Sequence, residues 1–490
     1  MRSSNFLGVA YSSRAKVAAN SECVNLYPEV AEAKGTKSVA AFYQTPGLDL
    51  LQTLGYGPIR GSLVCAGTLY VVSGSTFYSL DQNWNPTILG TVTPLTTSVS
   101  MITNGAQVAI FDGDTGFVYV LAQAATAGSA AIAANFAPIN LPFGGPLSAT
   151  YQDGFGLVNE VGTDAWWQSN LLDLTNWDPL NFSTADSQPD NVVAIMSLKR
   201  ECWLIKDTNA EIWVNGGLPG FAFQRLEGVF IEDGIAAPYS LAKCATAQTT
   251  RLAWLSRNAD GEGVVVATNG YQTERISTPY IERRIQGFST MADTVGYSYQ
   301  QEGHLFYVLN FTAGNETWAY DFTESAKLGE PAWHRRAAFQ NGLWQRHWGN
   351  NHVFHNGQHV IGDYQSGNLY AFDLNQPLDN GQQRRWLRSW RALAQPTDDP
   401  TRFDSLRIDM QTGLGVPAGT NPQCVLRVSD DGGSNYKFTR FASAGKTGQT
   451  AKRVMFRRLG STKRNTGLDR MFELSSSDVF GVGLLGAEMQ

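Results

Sequence analysis

Apolar residues recur along this chain as pairs of short runs around turn residues, rather than at helical spacing. The segments GTLYVVSGSTFYSLD (67–81), NGAQVAIFDGDTGFVYVL (104–121), DGFGLVNEVGTDAWWQSN (153–170) and ECWLIKDTNAEIWVNGG (201–217) set the pattern. RLAWLSRNADGEGVVVATNG (251–270), HLFYVLNFTAGNETWAYDF (304–322) and HVFHNGQHVIGDYQSGNLYAFDL (352–374) continue it. Each joins two runs of strand length through a turn bearing Gly, Asn or Asp, which is the signature of a β-hairpin. Their starts lie 37, 49, 48, 50, 53 and 48 residues apart. A lone hairpin cannot bury its apolar faces, but hairpins stacked radially can. The period suits blades of about four strands and predicts a β-propeller of six or seven blades.

Few windows place apolar residues at i, i+3, i+4 and i+7, so helix is nearly absent from the expectation. Beyond residue 404 the alternation continues in LRIDMQTG, CVLRVSDDGG, YKFTRFA, RVMFRRLG and MFELSSS, but the long period is lost. That change predicts a C-terminal antiparallel β-sandwich, with Pro396 and Pro400 marking the boundary. The expected organisation of this all-β chain is an N-terminal arm and lead-in strand over 1–39, a propeller over 40–395 and a sandwich over 400–490. The Ala-rich stretch 121–139 reads as a low-complexity insertion between two strands, with some helical character. Ala contributes little transfer energy and Gln, Thr, Ser and Asn interrupt the stretch, so no membrane insertion is expected there.

Composition narrows the class. Gly is 49 of 490 residues, and aromatic residues reach 11% while charged residues are only 16%. This excludes a coiled coil, a collagen-like chain and a disordered tail. A net charge of −6 is no footprint of a general nucleic-acid binder. The five cysteines (Cys23, Cys65, Cys202, Cys244 and Cys424) are scattered, which predicts buried free thiols rather than a disulfide framework or a zinc ribbon. The N-terminal residues lack the apolar core of a secretory signal.

Candidate chemistry is sparse. His347, His352, His355 and His359 crowd one segment. A hairpin turn at Asn356-Gly357 would leave His352 and His359 sharing a face only diagonally, at roughly 7–8 Å, with His355 opposite. Four ligands do not converge from that arrangement, so polar strand-surface histidines are expected and no metal. Ser429-Asp430-Asp431-Gly432-Gly433-Ser434-Asn435-Tyr436 looks like a single Asp box, whose carboxylate pins a turn. Together with abundant Trp it is the only support for an alternative reading, a carbohydrate-binding or glycan-cleaving propeller. No nucleotide-binding loop, nucleophile elbow or metalloprotease motif occurs, so no enzyme activity and no cofactor are expected.

Charge is uneven. Residues 440–470 hold nine basic residues against one acid, a local charge of +8. The last twenty residues add three acids, leaving −11 for residues 1–439. Such concentration makes sense where acidic surface lies opposite. Arg453, Arg457, Arg458, Lys463 and Arg464 are therefore candidates for an assembly contact, led by Arg457 and Arg458. Strand alternation would put Arg453 and Arg457 on one face and Arg458 on the other. A second basic knot, Arg384, Arg385, Arg388 and Arg391 with Trp386 and Trp390, lies near the expected boundary.

Several longer strings are more specific. CVNLYPE (23–29), TPGL (45–48) and SVSMITNGAQVAIFDG (98–113) resemble the opening of a bacteriophage family. WWQSNLLDLTNWDPLNFSTADSQPD (166–190) and DTNAEIWVNGGLPGFAFQRLEGVFIEDGIAAPYSLAK (207–243) continue the likeness, which extends weakly to RVMFRRLG (453–460). The chain resembles the tail hub or nozzle proteins of short-tailed phages, the packaged-DNA stabilisation proteins. The resemblance implies a virion tail protein made in the host cytoplasm and assembled as a homohexamer below the portal and its adaptor ring. It further implies an extension of the DNA channel that retains packaged double-stranded DNA and passes it during ejection without binding it specifically. Tailspikes, fibres or a needle would be seated on it. An acidic, polar lumen would suit that task, because each Lys or Arg contact to phosphate adds affinity.

Overall fold

The computed structural model describes residues 6–32, 38–125, 130–246, 249–258, 261–392, 400–462 and 470–489. Seven antiparallel sheets follow one another along the first three-quarters of the chain and close into a ring, so the hairpin period counts seven blades. Blades 1 to 4 are four-stranded and span 59–91, 100–138, 146–184 and 192–225. Blade 5 spans 242–275, with Gly234–Ile235 as an added short strand, and blade 6 spans 295–340. Each hairpin legible in the sequence falls within one blade, where apolar alternation is strongest because both faces pack on neighbouring blades.

Blade 7 takes three strands from Gly349–His355, Gln358–Asp363 and Asn368–Asp373, and a fourth, Gly47–Thr53, from near the N-terminus. The ring is thereby closed by a strand over 300 residues away in sequence. Gly47 allows this closure, since a Cβ there would lie 2.1 Å from the Gln376 carbonyl oxygen. Asn356 and Gly357 both take positive φ, 49° and 74°, as a two-residue hairpin turn of that kind requires.

The sandwich departs from the expected boundaries. Trp386–Arg391, placed in the propeller by sequence, pairs instead with Met471–Ser476, followed by Gln423–Ser429 and Phe438–Ser443. The second sheet orders Leu26–Val30, Ala40–Gln44, Gly483–Met489, Ser405–Met410 and Val454–Arg457. The N-terminal segment is thus not a free arm: two of its strands belong to the sandwich, and Phe6 is buried in the sandwich core. Cys23–Val24 bridges the two units, pairing with Trp333–Gln340 of blade 6 on one side and with Trp386–Arg391 on the other. Blade 6 and one sandwich sheet therefore form a single continuous sheet.

Helix is confined among the described residues to Pro279–Gln286, Phe322–Leu328 and the 3-10 turn Pro238–Ser240. No described helix is long and apolar enough to cross a membrane. The described parts of the Ala-rich stretch are not helical: Gln123 bridges Ile132, and Asn135–Pro138 is the outer strand of blade 2. All five cysteines are buried and free.

Candidate functional site

The propeller axis is the first place to look, because propellers commonly use it. Every blade lines a cavity of about 260 Å³ there, through residues such as Arg60, Ser100, Ser148, Ile195, Leu241, Gly296 and Asn350. The turn Pro238–Ser240 lies against the innermost strands of blades 3, 4 and 6. The Ser240 carbonyl accepts a hydrogen bond from the Tyr307 hydroxyl of blade 6 at 2.7 Å. The axis is thus narrowed by the protein's own chain, and the cavity that remains is too small for duplex DNA.

The histidine segment differs from expectation in its burial. Phe354 does face His359, and His355 faces Gln358. His352 Nε2 and His359 Nδ1 nevertheless meet at 3.0 Å, closer than a diagonal pair of Cβ positions suggests, because the imidazoles lean toward each other. His347 and His355 are buried rather than on a strand surface. Burial pushes the His347 imidazole down to about 3, with Arg336 and Arg384 adding to the effect. No group of three metal-ligating side chains occurs among the described residues.

The Asp box is a loop pin. Asp431 Oδ1 accepts from the Asn435 backbone N–H at 2.8 Å and from the Ser429 hydroxyl at 2.7 Å. These bonds hold the Asp431 carboxyl down at about 2. Trp166, Trp203, Trp254, Trp333, Trp386 and Trp390 are fully buried core. Both features that suggested glycan recognition therefore serve packing.

The basic knot near the boundary is also structural. Arg388 is fully buried and donates to the carbonyls of Phe6, Gly8 and Glu22. Arg384 is buried against the carbonyls of Thr45 and Pro46. Arg385 lies 3.8 Å from Glu473.

The C-terminal basic run divides. Arg470 is 1% exposed and pairs with Asp430 at 2.6 Å, so it offers no surface. Lys463 and Arg464 lie outside the described residues. Arg453, Arg457 and Arg458 are all exposed. Val454–Arg457 pairs on one side only, with Ser405–Met410, and is the edge strand of its sheet. Val454 and Phe456 point into the sandwich core, which sends Arg453, Met455 and Arg457 outward, as alternation requires. Arg458 breaks the alternation: its φ is 59°, and it leaves the strand for the surface instead of joining the buried face. Phe438–Ser443, the edge strand of the opposite sheet, runs alongside. From it Arg440 reaches across to donate to the Arg458 carbonyl at 3.3 Å. None of Arg440, Lys446, Lys452, Arg453, Arg457 and Arg458 forms an ion pair with a described residue. Phe441, opposite Val425 on the outer face of the other sheet, is 67% exposed and points away from Arg453 and Arg457. Sequence reasoning found the basic strand but missed Phe441, whose outward direction only the pairing register reveals.

A seven-bladed propeller fused to a sandwich, with a narrow axis and an exposed basic edge that forms no ion pair with a described residue, sets the class of the molecule. The chain belongs to the family described as bacteriophage P22 Gp10. Its β-propeller model matches residues 7–376, and its β-sandwich model matches residues 386–474. It is accordingly a phage tail structural protein of the packaged-DNA stabilisation type, a component of the virion that assembles with other virion proteins. No curated protein matches the chain. Among solved structures, the N-terminal domain of Nup159 is 10% identical over 72% of this chain and all of that one, at a TM-score of 0.38. PorZ of Porphyromonas gingivalis is 12% identical over 74% of this chain and 44% of that one, at a TM-score of 0.35. Likenesses this loose carry no argument.

Proposed function

We propose that the chain is the subunit of a homohexameric tail hub or nozzle that extends the portal–adaptor DNA channel. In this role it retains the packaged genome, lets it out during ejection and carries the distal tailspike, fibre or needle proteins. The observation that carries the reading is the basic sandwich edge around Arg453, Arg457 and Arg458, exposed and without ion pairs among the described residues, on a protein of the tail family. Exposed like charges without an ion pair among the described residues repel one another and gain little for the monomer. Opposite an acidic surface they steer docking and set register. Lys463 and Arg464 belong to the same proposal through their place in the sequence.

A propeller axis too narrow for duplex DNA also constrains the DNA path. Packaged DNA would run between subunits around a shared lumen and not through any one propeller. The test is recruitment. Arg457→Glu/Arg458→Glu is expected to give a folded monomer that no longer joins the portal–adaptor complex in a pull-down at about 50 mM salt, where screening is weak. Normal recruitment of that variant at both low and high salt would show the edge to be a solvated face.

A further inference from the structure

A cleft of about 580 Å³ opens at the waist of the molecule, where the sandwich meets blades 6 and 7. That volume lies within the roughly 300–1,000 Å³ of small-ligand sites. Strand alternation builds one wall. Leu26 and Phe42 turn into the sandwich core, so Tyr27, Glu29 and Tyr43 on the same two strands face the cleft. Tyr27 and Tyr43 are paired across the strands, with ring centres 6.3 Å apart at 47°. A second wall is the turn between Val295–Gln301 and His304–Phe311, where Glu302 is exposed with a φ of 47°. Leu374 and Pro377, just past the third strand of blade 7, and Leu414 and Phe480 of the sandwich add apolar surface to the lining.

Charge in this cleft is one-sided. Glu29 and Glu302 line it, and no described lysine, arginine or histidine does. The cations behind the wall are already engaged. Arg384 is buried and donates to the carbonyls of Thr45 and Pro46. His304, 3.7 Å from Glu29, is bonded to Asp321 at 2.7 Å. Glu302 forms no ion pair with a described residue. The Tyr27 side chain adds an independent sign. It is only 3% exposed, yet its hydroxyl has no hydrogen-bond partner among the described residues. Buried hydroxyls ordinarily find one. Burial, followed by Glu302, raises that hydroxyl above its ordinary value, and burial followed by Glu29 and Glu302 does the same at Tyr43.

Two carboxylates are too few for a calcium or zinc ion, and no third such ligand joins them among the described residues. They suit a cation that brings its own N–H donors and an apolar stem. An ammonium offers three donors and is attracted to aromatic faces, while its methylenes lie along apolar surface. We infer that the waist cleft binds an alkylammonium group, held by Glu29, Glu302 and the Tyr27 hydroxyl, with its stem against the Tyr43 ring. A lysine side chain presented by another protein and a free polyamine share this chemistry.

Calorimetric titration of the full chain with spermidine, and with the peptide acetyl-Gly-Lys-Gly-amide, tests the site and tells the two sources apart. At least one probe is expected to bind saturably at one site per chain, and magnesium chloride at matched ionic strength is expected to give no such isotherm. Glu29→Gln/Glu302→Gln should weaken binding by about tenfold or more, as two charge-assisted bonds are lost. Tyr43→Leu should weaken it about two- to fivefold, the worth of one cation–π contact. Hydrogen exchange on the unaltered chain needs no substitution: residues 40–44 and 480–483 should exchange more slowly at saturation. Binding of the peptide alone would make a partner's side chain the source, and binding of spermidine alone a free polyamine. Binding of both would show that an ammonium suffices. Failure of both probes to bind, binding unchanged in a double variant that keeps its native far-UV spectrum, or protection confined to other segments would each overturn the site.

Discussion

Several arginines that look like surface charge in the sequence are internal fasteners. Arg388 shows why: its guanidinium gathers the carbonyls of Phe6, Gly8 and Glu22 and lies 4.7 Å from the centre of the Phe42 ring. Three backbone acceptors of the N-terminal segment thereby find a donor where water does not reach. Replacing Arg388 with Met keeps most of the volume and removes every donor. Each carbonyl left unsatisfied costs about 1–3 kcal/mol, and losing one partner of a buried charged network costs about 3–5 kcal/mol. Arg388→Met is therefore expected to lower the denaturation midpoint and to release the first residues to protease before the propeller unfolds, measurable by urea titration and limited proteolysis. Nothing in WLRSWR tells Arg388 from Arg391, because burial is decided by a strand some 365 residues earlier in the chain. For the same reason Arg470 looked like part of the docking run until its pair with Asp430 was seen.

At the scale of elements, the boundary between blades 6 and 7 concentrates five of the six histidines. His334 and His347 are buried there, and burial drives both imidazoles below their ordinary value, His334 far below it and His347 to about 3. A base held neutral in the fold binds its proton only when unfolded, so the unfolded state gains protons first as pH falls. These two residues leave stability intact above about 6.5 and erode it progressively as pH drops below that value toward 3. His304 works the other way. Burial would lower it, but the bond to Asp321 at 2.7 Å outweighs burial and raises it, so it adds stability in acid. His352, His355 and His359 are lowered by burial as well, so five imidazoles stand against one. The melting temperature is expected to fall between pH 7 and pH 4.5, and His347→Gln should lessen that fall in calorimetry. A midpoint independent of pH over this range would contradict the argument. The hairpins of each blade were legible because both faces of their strands alternate strongly. The outer strands, such as Pro86–Thr91 and Phe182–Thr184, are short and largely exposed, and leave no such trace. Residues 26–30 and 40–44 read as local strands, but their destination in the sandwich depends on pairing with residues near the C-terminus.

For the whole molecule, charge sets what it does not hold. The chain carries −6, and its exposed basic residues are spread over the propeller, as at Lys199, Arg200, Lys243 and Arg275, as well as along the sandwich edge. Affinity for duplex DNA grows with the number of phosphates neutralised, and non-specific binders reach about 10⁻⁴–10⁻⁶ M at physiological salt. The free chain is expected to bind duplex weaker than that range in fluorescence anisotropy, and any residual binding should weaken further in Arg457→Glu/Arg458→Glu. Tight binding unaffected by that change would place a phosphate-gripping surface elsewhere and contradict a permissive conduit.

The strand Cys23–Val24 has a mechanical consequence for such a machine. It joins blade 6 to the sandwich through backbone pairing on both flanks, and the Asn25 side chain donates to the carbonyls of Ala337 and Arg385, each at 2.7 Å. A load applied to the sandwich along the strands enters the propeller as shear across parallel rows of peptide hydrogen bonds. Bonds loaded that way share the force and yield together, whereas contacts that peel give way one after another. A tug on one unit is therefore expected to reach the other through this short strand and the Asn25 side chain, rather than being lost in a free linker.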